Sequence, residues 1–407
     1  VSERSLASYL LLPRPGDLVK AWIFPAAFAF GALAGGGVGG RELLRAAVAW
    51  MALELLIYQA RYQWNDIRGF DADQRHPDRI ARGRLPGPAS CRRRRVRASG
   101  LVMVARLALV AAAAIALSPL DLGAPLLALA LAVFGVAIVY EALRSRCTGA
   151  AERVPPPLTA GILALWLAVG AGYALRGVSG LAFAVDLFGQ PWLLAAAAVT
   201  FWAFGIAFVT GRWALEALPF GRPDGRGGID WRVEPGQARE HSLALVRWLP
   251  AAAPAAGAVE DDGFGDWRAL LGDVSPLAPW NLAALVSAAA AAVTGRLLAG
   301  PTDPLDALLA GAAGAVFAAA ALVPAWRRFG WAAGCIALVV LMVAAGSPRP
   351  ALVAIPWLAV IAAHLLFTAQ SPRTLAHPLR FALAGARARL SRPRNQRRLA
   401  VSPLPRR

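Results

Sequence analysis

Apolar residues run along this chain in blocks of about twenty, separated by short segments that gather proline, glycine and charge. A helix needs roughly 20 apolar residues to cross the hydrocarbon core of a bilayer. Ten blocks reach that length: 18–36, 43–63, 99–118, 122–142, 157–176, 190–210, 279–298, 304–325, 329–346 and 350–369. Pro156-Pro157, Gly211, Pro301 and Pro350 punctuate their ends. An eleventh apolar stretch near 242–258 carries Arg247, Pro250 and Pro254, and is read as a non-spanning segment. The pattern predicts an all-α integral membrane protein, a bundle of about nine or ten transmembrane helices. Residues 1–278 would form a core of six spans with two long loops, 64–98 and 211–278. Residues 279–370 would add four spans, and 371–407 would form a basic, mobile tail. Connectors as long as these two loops usually carry function or stay unstructured. In the second, the Gly/Asp stretch from Gly221 to Asp230 and the acidic stretch from Glu260 to Asp273 read as linker.

The charge sharpens this picture. The 407 residues are 58% hydrophobic and 16% charged, which excludes a disordered chain, yet the net charge is +18. Lys20 is the only lysine, so arginine carries nearly all of the excess. Arg68, Arg75, Arg79, Arg82, Arg84, the run from Arg92 to Arg95, and Arg97 fall in the loop after the second block. Arg144, Arg146 and Arg153 follow the fourth, Arg212, Arg222, Arg226 and Arg232 the sixth, Arg327 and Arg328 the eighth. The tail after the tenth block holds many more, and the odd-numbered loops few. Positive residues favour the cytoplasmic side. This distribution predicts both termini in the cytoplasm, a multi-pass protein of a bacterial inner membrane, and anionic lipid as the partner of the basic loops; no nucleic acid is expected. Cys91, Cys147 and Cys335 are too widely spaced for a disulfide frame or a zinc pattern. The first residues show no apolar run closed by a small-residue cleavage site, so no signal peptide is expected.

Candidate chemistry concentrates where the second block runs into its loop. On a continuous helix Glu54, Tyr58, Arg61, Asn65, Gly69 and Asp73 lie near one face. Ionisable groups are costly in a membrane and usually line a bundle interior. Asn65 and Asp73 would stand about 12 Å apart along the axis at ~1.5 Å per residue. That is too far for one shared magnesium ion but workable for two ligands flanking a diphosphate. Magnesium commonly takes one or two carboxylates and completes its shell with phosphate and water. A departing diphosphate also calls for cations, and arginines surround the stretch. Glu54 and Arg61 could pair within the helix.

Asn65-Asp66-Ile67-Arg68-Gly69-Phe70-Asp71-Ala72-Asp73 followed by Pro77-Asp78-Arg79 resembles the first acidic motif of the UbiA superfamily of intramembrane prenyltransferases, with Gly69 in place of the middle aspartate. Lys20 resembles the basic residue that opens the family's first helix. Tyr140-Glu141-Ala142-Leu143-Arg144 resembles its Tyr-x-x-x-Lys motif. The second Asp-x-x-x-Asp motif is replaced by Gly211-Arg212-Trp213-Ala214-Leu215-Glu216. Within the family, Asn-Asp-x-Arg followed by Ala72-Asp73-Gln74-Arg75-His76-Pro77 is similar to the polyprenyl-phosphate phosphoribosyltransferases of bacterial cell-wall synthesis, as is Gly172-Tyr173-Ala174-Leu175-Arg176-Gly177-Val178-Ser179-Gly180. The likeness spans about residues 10–250.

The resemblance implies a magnesium-dependent enzyme that expels diphosphate from an activated carbon. Asn65, Asp66 and Asp73 would be catalytic. Asn65, Asp73 and Glu216 would hold Mg2+. Lys20, Arg79, Tyr140, Arg144 and Arg212 would bind the diphosphate. The first expectation is transfer of the prenyl group of a prenyl diphosphate to an acceptor. Closure of the prenyl cation on itself, as in UbiA-type terpene cyclases, is the second. Phosphoribosyl transfer onto a polyprenyl phosphate is the third, and a non-catalytic membrane protein on the same frame is the fourth.

Overall fold

In the computed structural model, the described residues are 4–368 except 77–78, 81, 150, 152, 225, 227, 235–236, 252–274 and 347–349. The expected tail, the acidic linker from Glu260 to Asp273, and Pro77 and Asp78 of the first motif lie outside them. Three helices open the described chain: α1 (Leu6–Leu11), α2 (Pro15–Ala21) and α3 (Ile23–Ala34). Then α4 (Gly40–Met51) passes through one π-helical turn, Ala52–Ile57, into α5 (Tyr58–Arg75). Two long helices follow, α6 (Arg92–Ala116) and α7 (Gly123–Cys147). The next span is divided at Val169-Gly170 into α8 (Ala160–Ala168) and α9 (Ala171–Ala182), and α10 (Pro191–Glu216) comes after it. A small hairpin, β1 (Gly221–Pro223) and β2 (Ile229–Trp231), precedes the short α11 (Glu240–Leu243). Four more helices end the described chain: α12 (Pro279–Ala299), α13 (Pro304–Leu322), α14 (Arg327–Ala345) and α15 (Ala351–Thr368).

Among the described residues, eight continuous helical segments are long and apolar enough to cross a membrane, and two shorter apolar helices, Val19–Ala34 and Ala351–Leu366, occupy the first and last of the ten expected blocks. The first is short because Gly35-Gly36-Gly37 ends it, with Gly36 and Gly37 at φ 81° and 114°, where a side chain would be strained. The chain is thus an all-α multi-pass protein, with span-length helices at eight of the ten blocks.

Two apolar cores organise the bundle. One gathers α3, α4, α5, α6 and α7 around Phe24, Leu53, Ile57, Leu122 and Leu126. The other gathers α10, α12, α13 and α15 around Ala284, Ala288, Ala291, Phe317 and Ile361. α10 packs against both α9 and α12 and so joins the halves. The alanines of α12 permit close helix approach, the usual device where lipid removes the hydrophobic drive to associate. Gly295 completes that face: a Cβ there would overlap the Leu352 carbonyl of α15.

The stretch from Gly221 to Asp230, expected as linker, forms the hairpin instead, with Gly221 opposite Trp231. Its turn is held by Asp224 Oδ1, which accepts from Arg226 N at 2.7 Å and Gly228 N at 2.8 Å. The stretch beginning at 242 is no span: α11 and the 3-10 turn Ala244–Trp248 are buried with Trp166, Leu215, Phe220 and Trp280 in a third apolar cluster.

Candidate functional site

The segment Gly40–Arg75 is one helix of 36 residues, about 54 Å long at ~1.5 Å per residue against a hydrocarbon core of about 30 Å. Its last turns therefore project beyond the apolar layer, on the face that gathers the arginine-rich loops. The ends of α7 and α10 reach the same face. Two cavities lie there. The smaller, about 150 Å³, is lined by Arg14, Lys20, Arg61, Arg176 and the tyrosines 58, 62, 140 and 173. The larger, about 510 Å³, falls within the size range of small-molecule sites and is lined by Gly69, Asp73, Arg82, Arg144, Glu216, Arg239 and His241 among others. Asn65, Arg84, Tyr140 and Trp213 line both, so the two adjoin.

Asp73 and Glu216 are brought together by an arginine absent from the expected site. Arg82 places Nη1 3.0 Å from Asp73 Oδ1 and Nη2 3.5 Å from Glu216 Oε2. Arg212 Nε holds the other Glu216 oxygen at 3.0 Å. Asn65 is not joined to these carboxylates; its Oδ1 accepts from Arg144 Nη1 at 3.1 Å. Arg144 is in turn clamped by Glu141 at 2.8 Å, and Arg68 reaches the same Glu141 oxygen at 3.1 Å.

Asp66 has a different position from the one expected of a catalytic residue. It is 1% exposed, lines neither cavity, and anchors Arg84 Nη1 at 2.7 Å with Arg14 Nη1 at 3.8 Å. Burial pulls the Arg84 guanidinium down, but Asp66, Asp73 and Glu216 outweigh it and hold Arg84 more firmly protonated than usual. Arg14 also binds Asp17 at 2.8 Å, and Lys20 binds the same carboxylate at 3.0 Å. Burial pushes Asp17 up, yet the two cations prevail and hold it below the usual carboxylate range.

Of the expected diphosphate ligands, Lys20 and Tyr140 line the smaller cavity, and Tyr140 and Arg144 the larger. Arg79 is exposed and lines only a minor crevice beside Asp73 and Arg84. Arg212 reaches the site through Glu216 and lines neither cavity. Gly69 leaves room beside Asp73, whose Oδ2 would lie 3.3 Å from a Cβ there. Asp71, the nearest acid, instead pairs with exposed Arg92 at 3.2 Å.

Glu54 and Arg61 do not pair. Glu54 binds Arg176 of α9, with Nε at 2.6 Å and Nη2 at 3.1 Å. The π-helical turn at Ala52–Ile57 accounts for this, because it shifts Glu54 out of phase with the residues that follow. Arg176 also donates to the Tyr62 hydroxyl at 3.2 Å and lies over the Tyr58 ring.

The segment around α11 walls the larger cavity. Arg239 Nη1 donates to the carbonyls of Arg144 at 2.8 Å and Thr148 at 3.1 Å, and Glu240 accepts from Gly149 N at 2.8 Å. His241 contacts Thr148 Oγ1 at 3.2 Å and meets the Trp213 ring edge-on. Burial, with Arg144 and Arg239 nearby, pushes its pKa down to about 3, so it is neutral.

Among the described residues no three His, Cys, Asp or Glu side chains gather to hold a metal ion. Asp73 and Glu216 nonetheless fit a magnesium ion that arrives with phosphate, since that ion needs only one or two carboxylates from the protein. Sequence reasoning did not single out Arg14, Arg82, Arg84, Glu141 or Arg239 as site residues, although Arg82 and Arg84 stand among the arginines around the acidic stretch and Glu141 within the Tyr140–Arg144 motif. Comparison of the chain with protein-family models, with curated proteins and with solved structures gives no match.

Proposed function

We propose that this chain is a UbiA-type transferase of a bacterial inner membrane, with its arginine-rich face and both termini in the cytoplasm, that expels diphosphate from a polar donor. The observation that carries this reading is the pair of adjoining cavities, both cationic, meeting at Asn65. A prenyl diphosphate has one anionic group and a hydrocarbon tail. The smaller cavity is lined by four arginines, a lysine and four tyrosines beside apolar Val133, Val136, Val169, Leu175 and Val209, a setting for an anion with the start of an apolar chain. Two anionic reactants fit better: phosphoribosyl diphosphate in the larger cavity and a polyprenyl phosphate entering from the membrane side.

In that reaction the bond between the ribosyl anomeric carbon and the diphosphate oxygen breaks, and its electron pair leaves on diphosphate. A lipid phosphate oxygen forms the new bond to that carbon. Asp73 and Glu216 would hold magnesium, which supplies charge neutralisation on the leaving group. Arg82 and Arg84 bind the diphosphate directly, Arg144 orients Asn65, and the wall around α11 excludes water. A second reading keeps the prenyl diphosphate as donor, with transfer or cyclisation. It is favoured by the Tyr58, Tyr62, Tyr140 and Tyr173 faces, which can stabilise a developing carbocation.

Membranes carrying the protein, incubated with magnesium and radiolabelled phosphoribosyl, farnesyl or geranylgeranyl diphosphate, with and without farnesyl phosphate, separate the readings. Label from the ribosyl donor reaching farnesyl phosphate is the expected result. Product from a prenyl donor instead would establish the second reading. No diphosphate release from any donor would contradict both.

A further inference from the structure

Asn65 stands where the two cavities meet, and its side chain can face them in only one way. Its Oδ1 accepts from Arg144 Nη1 at 3.1 Å. A guanidinium has donors and no acceptor, so the opposite rotation would set the amide NH2 against another donor. The oxygen is therefore turned to Arg144, and the nitrogen is the free end. Asn65 is half-buried, and among the described residues its nitrogen donates no hydrogen bond.

Arg144 is itself held on every side. Its second terminal nitrogen, Nη2, lies 2.8 Å from Glu141 Oε2, so both arms of the planar fork are committed. Its backbone carbonyl accepts from Thr148 Oγ1 and from Arg239 Nη1, each at 2.8 Å. Glu141 is 3% exposed and lines neither cavity, and its Oε2 also holds Arg68 Nε at 3.1 Å. One buried carboxylate thus sets two arginines that line the larger cavity. A magnesium ion on Asn65 Oδ1 would sit beside the Arg144 charge, in a partly buried setting where like charges repel strongly. Asn65 also stands apart from the acids: Arg82 joins Asp73 to Glu216, and Asp73 lies about two helical turns further along α5.

We infer that Asn65 serves a diphosphate in the larger cavity as a hydrogen-bond donor through its amide nitrogen, rather than magnesium as a ligand through its oxygen, and that Glu141, acting through Arg144, is the positioning residue that fixes this orientation. The occupant of the cavity rests on the transferase reading above; the orientation of the amide does not. Metal is left to Asp73 and Glu216, and the magnesium ligand expected at Asn65 from the sequence motif becomes a contact to the anion.

The test measures binding of radiolabelled inorganic diphosphate to the full chain in detergent micelles, at magnesium concentrations from chelator upwards. Asn65→Asp separates the two roles, because a carboxylate is a good magnesium ligand but lacks the donor. It should weaken diphosphate at least tenfold at saturating magnesium. Asn65→Ala should weaken it about tenfold, the scale of one hydrogen bond to a charged group, and leave the magnesium concentration for half-maximal binding unchanged. Glu141→Gln should weaken diphosphate a few-fold at that same magnesium midpoint, and Glu141→Asp, which keeps the charge, should weaken it less. In the double variant the losses of Asn65→Ala and Glu141→Gln should not add, since both remove one contact; a merely structural role for Glu141 would make them additive. Thermal unfolding checks that each variant folds, and Arg144→Lys, which cannot span Glu141 and Asn65 as a fork, replaces Glu141→Gln if that variant does not. Asn65→Asp binding as tightly as the unaltered protein, or an Asn65→Ala loss made good by more magnesium, would overturn the donor role. Additive losses, or full affinity in Glu141→Gln, would overturn the positioning role. Either result beside normal binding by the unaltered protein refutes the inference alone; no diphosphate binding by the unaltered protein would refute the reading of the cavity with it.

Discussion

Arg82 joins Asp73 and Glu216, so each carboxylate has a partner before any substrate arrives. Replacing either by its amide preserves shape and, on the proposed reading, removes a magnesium ligand. We expect Asp73→Asn and Glu216→Gln each to lower diphosphate release by about 10²-fold, the scale of losing one electrostatic contact to a departing group. Chelation of magnesium should abolish it. Glu54 and Arg176 make a different kind of pair, nearly inaccessible and bidentate. Glu54→Gln leaves the Arg176 charge uncompensated, and breaking a buried pair in this way costs about 3–5 kcal/mol. Thermal unfolding in micelles should show a clear drop, and the double change Glu54→Leu with Arg176→Met should restore most of it. Neither pairing was legible in the sequence. A π-helical turn decides which way Glu54 faces, and the left-handed turn at Gly83, φ 57°, separates Arg82 from Arg84 within a run of similar arginines. Asn65, Asp73, Tyr140 and Arg144 were legible as cavity residues, because regular helices carry them and spacing fixes their side.

At the scale of elements, the helices were readable wherever apolar blocks reached span length, and their order holds throughout. The hairpin and α11 were not, because strands of three residues and a helix of four carry no measurable period. Their positions come from burial against α8 and α10 instead. His241 makes this wall sensitive to pH. Its pKa is about 3 in the fold against 6.5 for an unperturbed histidine. Between those values the opened segment takes up a proton that the closed one refuses, so stability falls as pH drops from 6.5 towards 3. The slope is at most ~1.4 kcal/mol per pH unit for one such group. The protection factors of amides 240–248, exchange rates corrected for the intrinsic rate at each pH, should therefore fall between pH 6.5 and 4.5, and His241→Gln should flatten that dependence. The α12–α15 contact offers a packing test. Gly295→Val should push these helices apart and destabilise the protein by about 1–3 kcal/mol, the usual cost of overpacking, seen as a lower unfolding temperature.

At the scale of the molecule, the excess of +18 divides into two populations. Many arginines fall in the segments between apolar blocks, where the charge bias is expected to orient the bundle. A smaller group lines two adjoining cavities. The central claim is that a diphosphate donor and an anionic lipid meet at Asn65. It is tested most directly by following one labelled donor to its two products. Purified protein in liposomes would be given magnesium, farnesyl phosphate and phosphoribosyl diphosphate labelled in the ribose, and released diphosphate and lipid-linked label would be counted together. The account predicts one diphosphate released for each ribosyl group that becomes lipid-linked, with both lost in Asp73→Asn. Diphosphate release without lipid labelling, or neither product from well-folded protein, would contradict it.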